Sequence, residues 1–254
     1  MLLHNQKSIA AMQPYFLPYI GYFQLINKVD IFIVYNLVNY RKKSWINKNR
    51  IKDKGSSLPV NIIVPVQNQT SFKLISDIKM SSKMEWKNKI ENLLFFNYKK
   101  SEFFKEVFPL LQNILKYETD EIHNYNSNAI KRICSALEIS TKIVSNNDSF
   151  IEIEKTLSKI KIQNGTEIKE QRVFELCKYY NAKTYLNPIN GMELYDFKRF
   201  KNQGFNLKFI QSKRVEYPQF NMPFEPNLSI VDVLFHNGFK GTKALLSEHS
   251  IITK

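Results

Sequence analysis

The chain has 254 residues, 43% of them hydrophobic, enough for a substantial core in one large domain or a domain with an inserted lobe. Its 37 Lys and Arg against 23 Asp and Glu give a formal charge of +14. That balance favours anionic partners such as nucleic acid, phosphorylated small molecules or an anionic membrane surface, although AT-rich coding toward Lys, Asn and Ile yields the same charge. No window approaches the roughly twenty apolar residues of a membrane span, so no membrane insertion is expected. Gln6 and Lys7 interrupt the N-terminus before any long apolar run, which argues against a signal peptide and for a cytoplasmic location. Cys134 and Cys177 sit on apolar faces of apparent helices and read as buried reduced thiols. His4, His123, His236 and His249 show no metal-ligand spacing, so no metal site is expected.

Along the chain, Ser8–Met12 (SIAAM) reads as a short buried strand. Pro14 and Pro18 hold an extended turn after it. Tyr19–Val29 reads as a helix with Ile20, Phe23 and Ile26 on one face, and Asp30–Asn36 as a second apolar strand. Such a compact strand-turn-helix-strand unit builds parallel sheets, and it places the first strand centrally. A basic stretch, Tyr40–Gly55, precedes a strand at Asn61–Val66. From Ser82 to Leu137 the periodicity is helical throughout, giving three or four amphipathic helices. Strands at Thr141–Asn146, Lys183–Asn187 and Phe205–Gln211 then alternate with helices at Glu167–Tyr180 and Met192–Lys201. A last helix, Leu228–Gly238, is expected to be capped by Asn227 and closed by Gly238. The fold predicted is α/β: an open, mostly parallel, Rossmann-like sheet from residues 1–80 and 138–254, with a helical lobe at 81–137 inserted in it.

Open parallel sheets bind ligands beyond the carboxyl ends of their strands. Those ends here are Gln13 and Tyr15, Asn36 and Asn39, Asn146 to Asp148, Asn187 to Gly191, and Gln211. They are mostly amides, which suits hydrogen-bonded recognition of a nucleotide or sugar and equally suits ordinary loops. Gly21 early in a helix permits close backbone approach, and a helix N-terminus offers free N–H groups to a phosphate. The start resembles that of nucleotidylyltransferases but lacks their histidine. In the basic stretch, Arg50 and neighbouring lysines are candidates to clamp a diphosphate, and Trp45 to stack on a base or sugar. Gln13, Tyr15, Tyr40, Trp45, Asn49 and Arg50 are expected to line one cleft. Asp232 lies within an apolar helical run, where a carboxylate either caps, forms an ion pair or acts as a base; His236 follows one turn later.

Together, MQPYFLPYIGYFQLI, DIFIVYN, SWINKNRIK, VPV, TYLNPINGMELYD and YPQF with FEPNLSIVDVLFHNG resemble the WbqC-like family, in order and over nearly the whole chain. The chain has Met12 where relatives often carry His, Tyr19 where they often carry Trp, and His236 where Asn is common. The resemblance implies a product of bacterial surface-polysaccharide and O-antigen clusters. It suggests a transferase that places an acyl or aminoacyl group on the amine of a nucleotide-linked sugar. The co-substrate would be acyl-CoA or aminoacyl-tRNA, with no tightly bound cofactor. Alternatives are a nucleotidyl- or glycosyltransferase, and a non-catalytic RNA-binding or scaffold protein. In the transferase reading Asp232 is the candidate base. Gln13, Tyr15, Gly21, Tyr40, Trp45, Asn49, Arg50, Asn187 and Gly191 are the candidate substrate-binding residues.

Overall fold

A computed structural model describes residues 7–56, 58–67, 70–83, 85–159, 165–220 and 223–253. The first six residues, part of the N-terminus read above, lie outside these. In chain order the elements are β1 (Ser8–Met12), α1 (Ile20–Asn27), β2 (Ile31–Val34), β3 (Lys48–Ile51), β4 (Val60–Ile63), α2 (Glu85–Tyr98), α3 (Phe104–Leu115) and α4 (Ile122–Ala136). There follow β5 (Lys142–Val144), α5 (Ile151–Lys159), α6 (Gly165–Tyr179), β6 (Thr184–Pro188), α7 (Phe197–Asn202), β7 (Asn206–Ser212), α8 (Ile230–Leu245) and β8 (His249–Ile252).

Six strands form one sheet in the order β5-β2-β1-β6-β7-β8, parallel except for the last pair. The chain is therefore an α/β protein with a mostly parallel sheet, and β1 is central in it. Its partner β2 runs parallel, with Ile9 beside Ile31 and Met12 beside Val34. Alternate residues face opposite sides. Ala10, Phe32 and Val34 enter a core with α1, α2, α3, α4 and α8, while Ile9, Ile31 and Ile33 enter a second core with α6 and α7. The helices of 85–136 thus share one apolar core with Phe16, Phe23, Val231 and Leu234. Strand order reverses between β1 and β6, so the crossovers on either side leave in opposite directions.

Several elements differ from the sequence reading. The strand expected at Asn61–Val66 is β4, which pairs antiparallel with β3 in its own two-stranded sheet. The basic stretch is thus half hairpin, which a run of Lys, Asn and Arg conceals. Helix α5 begins IEIE, an alternation with the period of a strand; its helical phase lies in Phe150, Ile153 and Leu157. The expected helix at Met192–Lys201 is a 3-10 turn followed by the short α7. The cap of α8 is Ser229, whose Oγ accepts from Val231 N, while Asn227 takes a left-handed φ of 56°. Gly238 does interrupt the helix, at φ 64°, but helical turns resume and run to Leu245. Among the described residues no helix is long and apolar enough to cross a membrane.

Candidate functional site

The turn from Gln13 to Pro18 leaves the carboxyl end of central β1. Its two prolines donate nothing, so its carbonyls must be satisfied by other elements. The Gln13 carbonyl accepts from the Tyr22 hydroxyl at 2.9 Å, and the Pro14 carbonyl from Asn126 Nδ2 at 2.9 Å. Asn49 Nδ2 donates to the Phe16 and Leu17 carbonyls at 3.0 and 2.7 Å. Ser229 Oγ donates to Leu17 O, and Ile230 N to Pro18 O. Leu17 holds a φ of 42°, which these bonds over-determine. Helices α1, α4 and α8 and strand β3 therefore meet on this one turn.

Most of the candidate binding residues belong to that framework. Asn49 is 4% exposed and Tyr40 0%, with the Tyr40 hydroxyl on Asn47 Oδ1 at 2.9 Å. Tyr15 is half-buried against Tyr22; burial pushes its phenol up, and the Arg41 guanidinium opposes this. A Cβ on Gly21 would meet Tyr19 Cε2 at 2.4 Å and Ser212 Oγ at 2.5 Å, so the close approach here is by the protein's own side chains. Trp45 is 42% exposed, with Lys48 Nζ 5.7 Å from its ring. Arg50 pairs with Glu225 at 3.5 Å, half-exposed, and its Nε is buried without a partner. Asn187, at the end of β6, accepts from the Tyr185 hydroxyl at 3.3 Å and lies against Gly191.

Asp232 is fully buried. Its Oδ2 accepts from the Tyr98 hydroxyl at 2.6 Å, and its Oδ1 from the Tyr217 hydroxyl at 2.8 Å and from Gln219 Nε2 at 3.0 Å. The carboxylate ties α8 to α2 and to the loop before it. His236 stands above this cluster, edge-on to Phe220, with its Nε2 buried and unpartnered; burial holds its pKa below the ordinary value.

Beyond the carboxyl ends of β2 and β5 lies a cavity of about 790 Å³. Asn36 and the Ser145–Asp148 segment form its floor. Leu74, Ser76 and Asp77 form one wall, Glu121, His123 and Asn124 a second, and residues 151–158 of α5 a third. None of the ten candidate residues lines it, whereas the strand-end amides Asn36, Asn146 and Asn147 do. Asn147 is held by Nδ2 bonds to Val34 O and Ser145 O at 2.9 and 3.3 Å. Asn36 and Asn147 are 5% and 3% exposed, and each leaves its amide oxygen without a partner. Buried oxygens of this kind are rare and call for a donor. Four carboxylates, Asp77, Glu121, Asp148 and Glu154, line the cavity with one lysine, Lys155. Arg172 and the Tyr35 hydroxyl engage Glu154, and Glu152 engages Lys155. His123 Nε2 is 3.7 Å from Glu121, and its Nδ1 is buried and unpartnered. Burial lowers the His123 pKa below 6.5, while Glu121, Asp77 and Asp148 pull it back up. Tyr40 N bonds to Lys73 O at 2.9 Å, and Asn39 bridges to Leu74, so the basic stretch that starts at Tyr40 leaves from the Leu74 wall, and Arg41 acts on Tyr15.

The profile of the WbqC-like protein family matches residues 13–244. The chain belongs to that family. It is 29% identical to an uncharacterized protein, Rv1507c, of Mycobacterium tuberculosis over 235 residues, 91% of this chain and 94% of the relative. No solved structure matches it. In this WbqC-like chain, Asn36 and Asn146 to Asp148, read from sequence as polar strand ends, line the cavity, while the ten candidate site residues lie elsewhere. Sequence reading missed Asp77, Glu121, His123 and Glu154, which come from helix starts and loops far apart in the chain. The one available signal was local: Glu121 and His123 open a helix immediately after a polar turn. Cys134 and Cys177 are buried free thiols, as expected, and burial pushes each up to about 12.

Proposed function

We propose that this WbqC-like protein is a transferase that places an acyl or aminoacyl group on the amine of a nucleotide-linked sugar, in the building of bacterial surface polysaccharide. One observation carries the reading: at the carboxyl edge of the sheet an acid-lined cavity adjoins the start of the chain's basic stretch. A nucleotide-linked amino sugar has the matching polarity, with a diphosphate at one end and an amine at the other. Arg41, Lys42, Lys43 and Lys73 would meet the diphosphate, as guanidinium and ammonium groups do at phosphate sites. The amine would meet the carboxylates that line the cavity, Asp77, Glu121 and Asp148. The donor is an activated acyl ester or thioester, aminoacyl-tRNA or acyl-CoA, and both are polyanions that the +14 charge attracts.

The experiment is transfer read by mass spectrometry. Nucleotide amino sugars are incubated with acyl-CoA or aminoacyl-tRNA, and the acceptor is expected to gain the mass of one acyl group. No mass gain with any pairing would remove the transferase reading. A second reading, RNA binding without catalysis, is favoured by exposed Trp45 beside Lys48 and the basic loop. Salt-dependent affinity for deacylated tRNA, with no affinity for any nucleotide sugar, would select it.

A further inference from the structure

We infer that the outer face of the β3–β4 hairpin docks the single-stranded acceptor end of tRNA, which makes aminoacyl-tRNA rather than acyl-CoA the donor. The choice of donor rests on the transferase reading above. Charge points to this segment first. Between Asp30 and Asp77 the chain carries eight Lys and Arg and one carboxylate, Asp53. Half of the net charge of +14 therefore sits on less than a fifth of the residues. Coding bias spreads lysine along a chain, whereas the surplus here comes from missing carboxylates. The hairpin in this segment has two unlike faces. Its inward residues Asn49, Ile51 and Ile62 are buried. Its outward residues pair across the strands, Lys48 with Ile63 and Arg50 with Asn61. Ile63 and Asn61 are exposed, and Lys48 and Arg50 are half-buried. Trp45, just before β3, is exposed and has the Lys48 ammonium 5.7 Å from its ring centroid.

Cations interleaved with an exposed ring on a strand surface fit single-stranded nucleic acid: the cations follow the phosphates and a base stacks on the ring. A bilayer calls instead for a contiguous apolar face bordered by cations. Here Lys48 has the Trp45 ring against its ammonium and Ile63 across the strand. Arg50 shares its charge with Glu225 at 3.5 Å, and Lys52 is buried with its Nζ on Pro223 O. Lys48 is thus the cation that meets a phosphate on this face. The face is held at the sheet's carboxyl edge. Trp45 O accepts from Phe16 N at 2.9 Å, Ile46 O from Asn126 Nδ2 at 2.7 Å, and Asn49 reaches back to Phe16 and Leu17. These bonds tie the hairpin to the turn after central β1, where parallel sheets take their ligands. Transfer from an RNA held there balances without a further reactant. The free-base amine nitrogen attacks the ester carbonyl carbon of the aminoacyl-tRNA and the C–N bond forms. The C–O bond to the terminal ribose breaks, and the proton lost by nitrogen goes to that oxygen.

The test uses the full chain and deacylated tRNA. Filter binding should show an affinity that falls with salt. Trp45→Ala should weaken it about tenfold or more, the usual effect of removing one stacking ring, and Trp45→Phe should keep most of it. Lys48→Gln should reduce the slope of log affinity against log salt by about 0.7, one phosphate contact on a single strand. Lys198→Gln with Lys201→Gln removes two exposed charges from α7, which packs in the core on the other side of the sheet. That variant should change the affinity less than about twofold. Thermal melting reports on the folding of each. No tRNA binding, an unchanged affinity in Trp45→Ala, or an equal loss in the α7 variant overturns the docking face. Binding of phosphatidylglycerol vesicles in place of tRNA overturns it too. Kinetics with aminoacyl-tRNA and UDP-glucosamine then test the donor. Trp45→Ala should raise KM for the RNA about tenfold and leave KM for the sugar within about twofold. If acyl-CoA serves and aminoacyl-tRNA does not, the inference falls and the transferase reading stands. If tRNA binds at Trp45 but no pairing transfers, the transferase reading and the donor assignment fall, and the docking face stands.

Discussion

Asp232 shows how one buried group separates structure from chemistry. Two tyrosine hydroxyls and an amide already fill its oxygens. Asp232→Asn replaces one acceptor oxygen with an amino group that faces a hydroxyl. The expected loss is about 1–3 kcal/mol, which lowers Tm by roughly 2–4 °C per kcal/mol at this chain length. Transfer by the folded variant should stay within about twofold of wild type; a large fall in kcat at unchanged Tm would return Asp232 to the mechanism. Gly21→Ala should cost about 1–3 kcal/mol through overpacking, because the added carbon lands 2.4 Å from Tyr19 and 2.5 Å from Ser212. A melt showing no loss would mean that the two side chains yield freely. The sequence marked both residues as unusual but not why. A carboxylate in an apolar helical run looks the same whether it is satisfied by the protein or poised for a substrate. Only the partners decide, and Tyr98 lies 134 positions away.

At the scale of elements, the Gln13–Pro18 turn is the joint where α1, β3, α4 and α8 meet. Asn49 and Asn126 grip it from two sides. Asn49→Ala and Asn126→Ala should each cost about 1–3 kcal/mol by leaving buried carbonyls unpaired. Because both act on one turn, the double variant should show a coupling energy of at least about 0.5 kcal/mol in denaturant melts. Strict additivity would show that the two grips are independent. The turn itself was legible: prolines at 14 and 18 after an apolar strand announce a fixed bend. The central parallel strand was legible too, from SIAAM and the short crossover to DIFIVYN. The β3–β4 hairpin was not, because KNRI alternates buried and partly buried positions with polar residues at all but one. What satisfies Asn49 is a turn some thirty residues earlier, and that contact leaves no local period.

For the whole molecule, two histidines are held below their ordinary value of 6.5 by burial, His123 and His236. A depressed histidine binds protons more readily in the unfolded chain. Stability should therefore be constant above about pH 6.5 and fall as pH drops below it toward the folded-state values. Thermal melts from about pH 7.5 to 5.5 should show this decline, and His236→Asn should reduce it; a flat or rising Tm on acidification would contradict the sign. The carboxylates Asp120, Glu138 and Asp196 are held low by their partners Lys79, Lys243 and the Arg199 amide, so their loss belongs to a more acidic window. The distribution of charge bears on function more than its total. The basic stretch starts from the Leu74 wall of a cavity of opposite sign, and the account holds that a nucleotide-linked amino sugar spans the two. Ser158 is exposed on α5 and lines the cavity, so Ser158→Trp narrows that space from its α5 wall. The direct measurement is the Kd of UDP-glucosamine for this variant and for wild type, with Tm as the control for folding. The account predicts at least a tenfold loss of affinity at unchanged Tm, and equal affinity with the cavity so narrowed would contradict it.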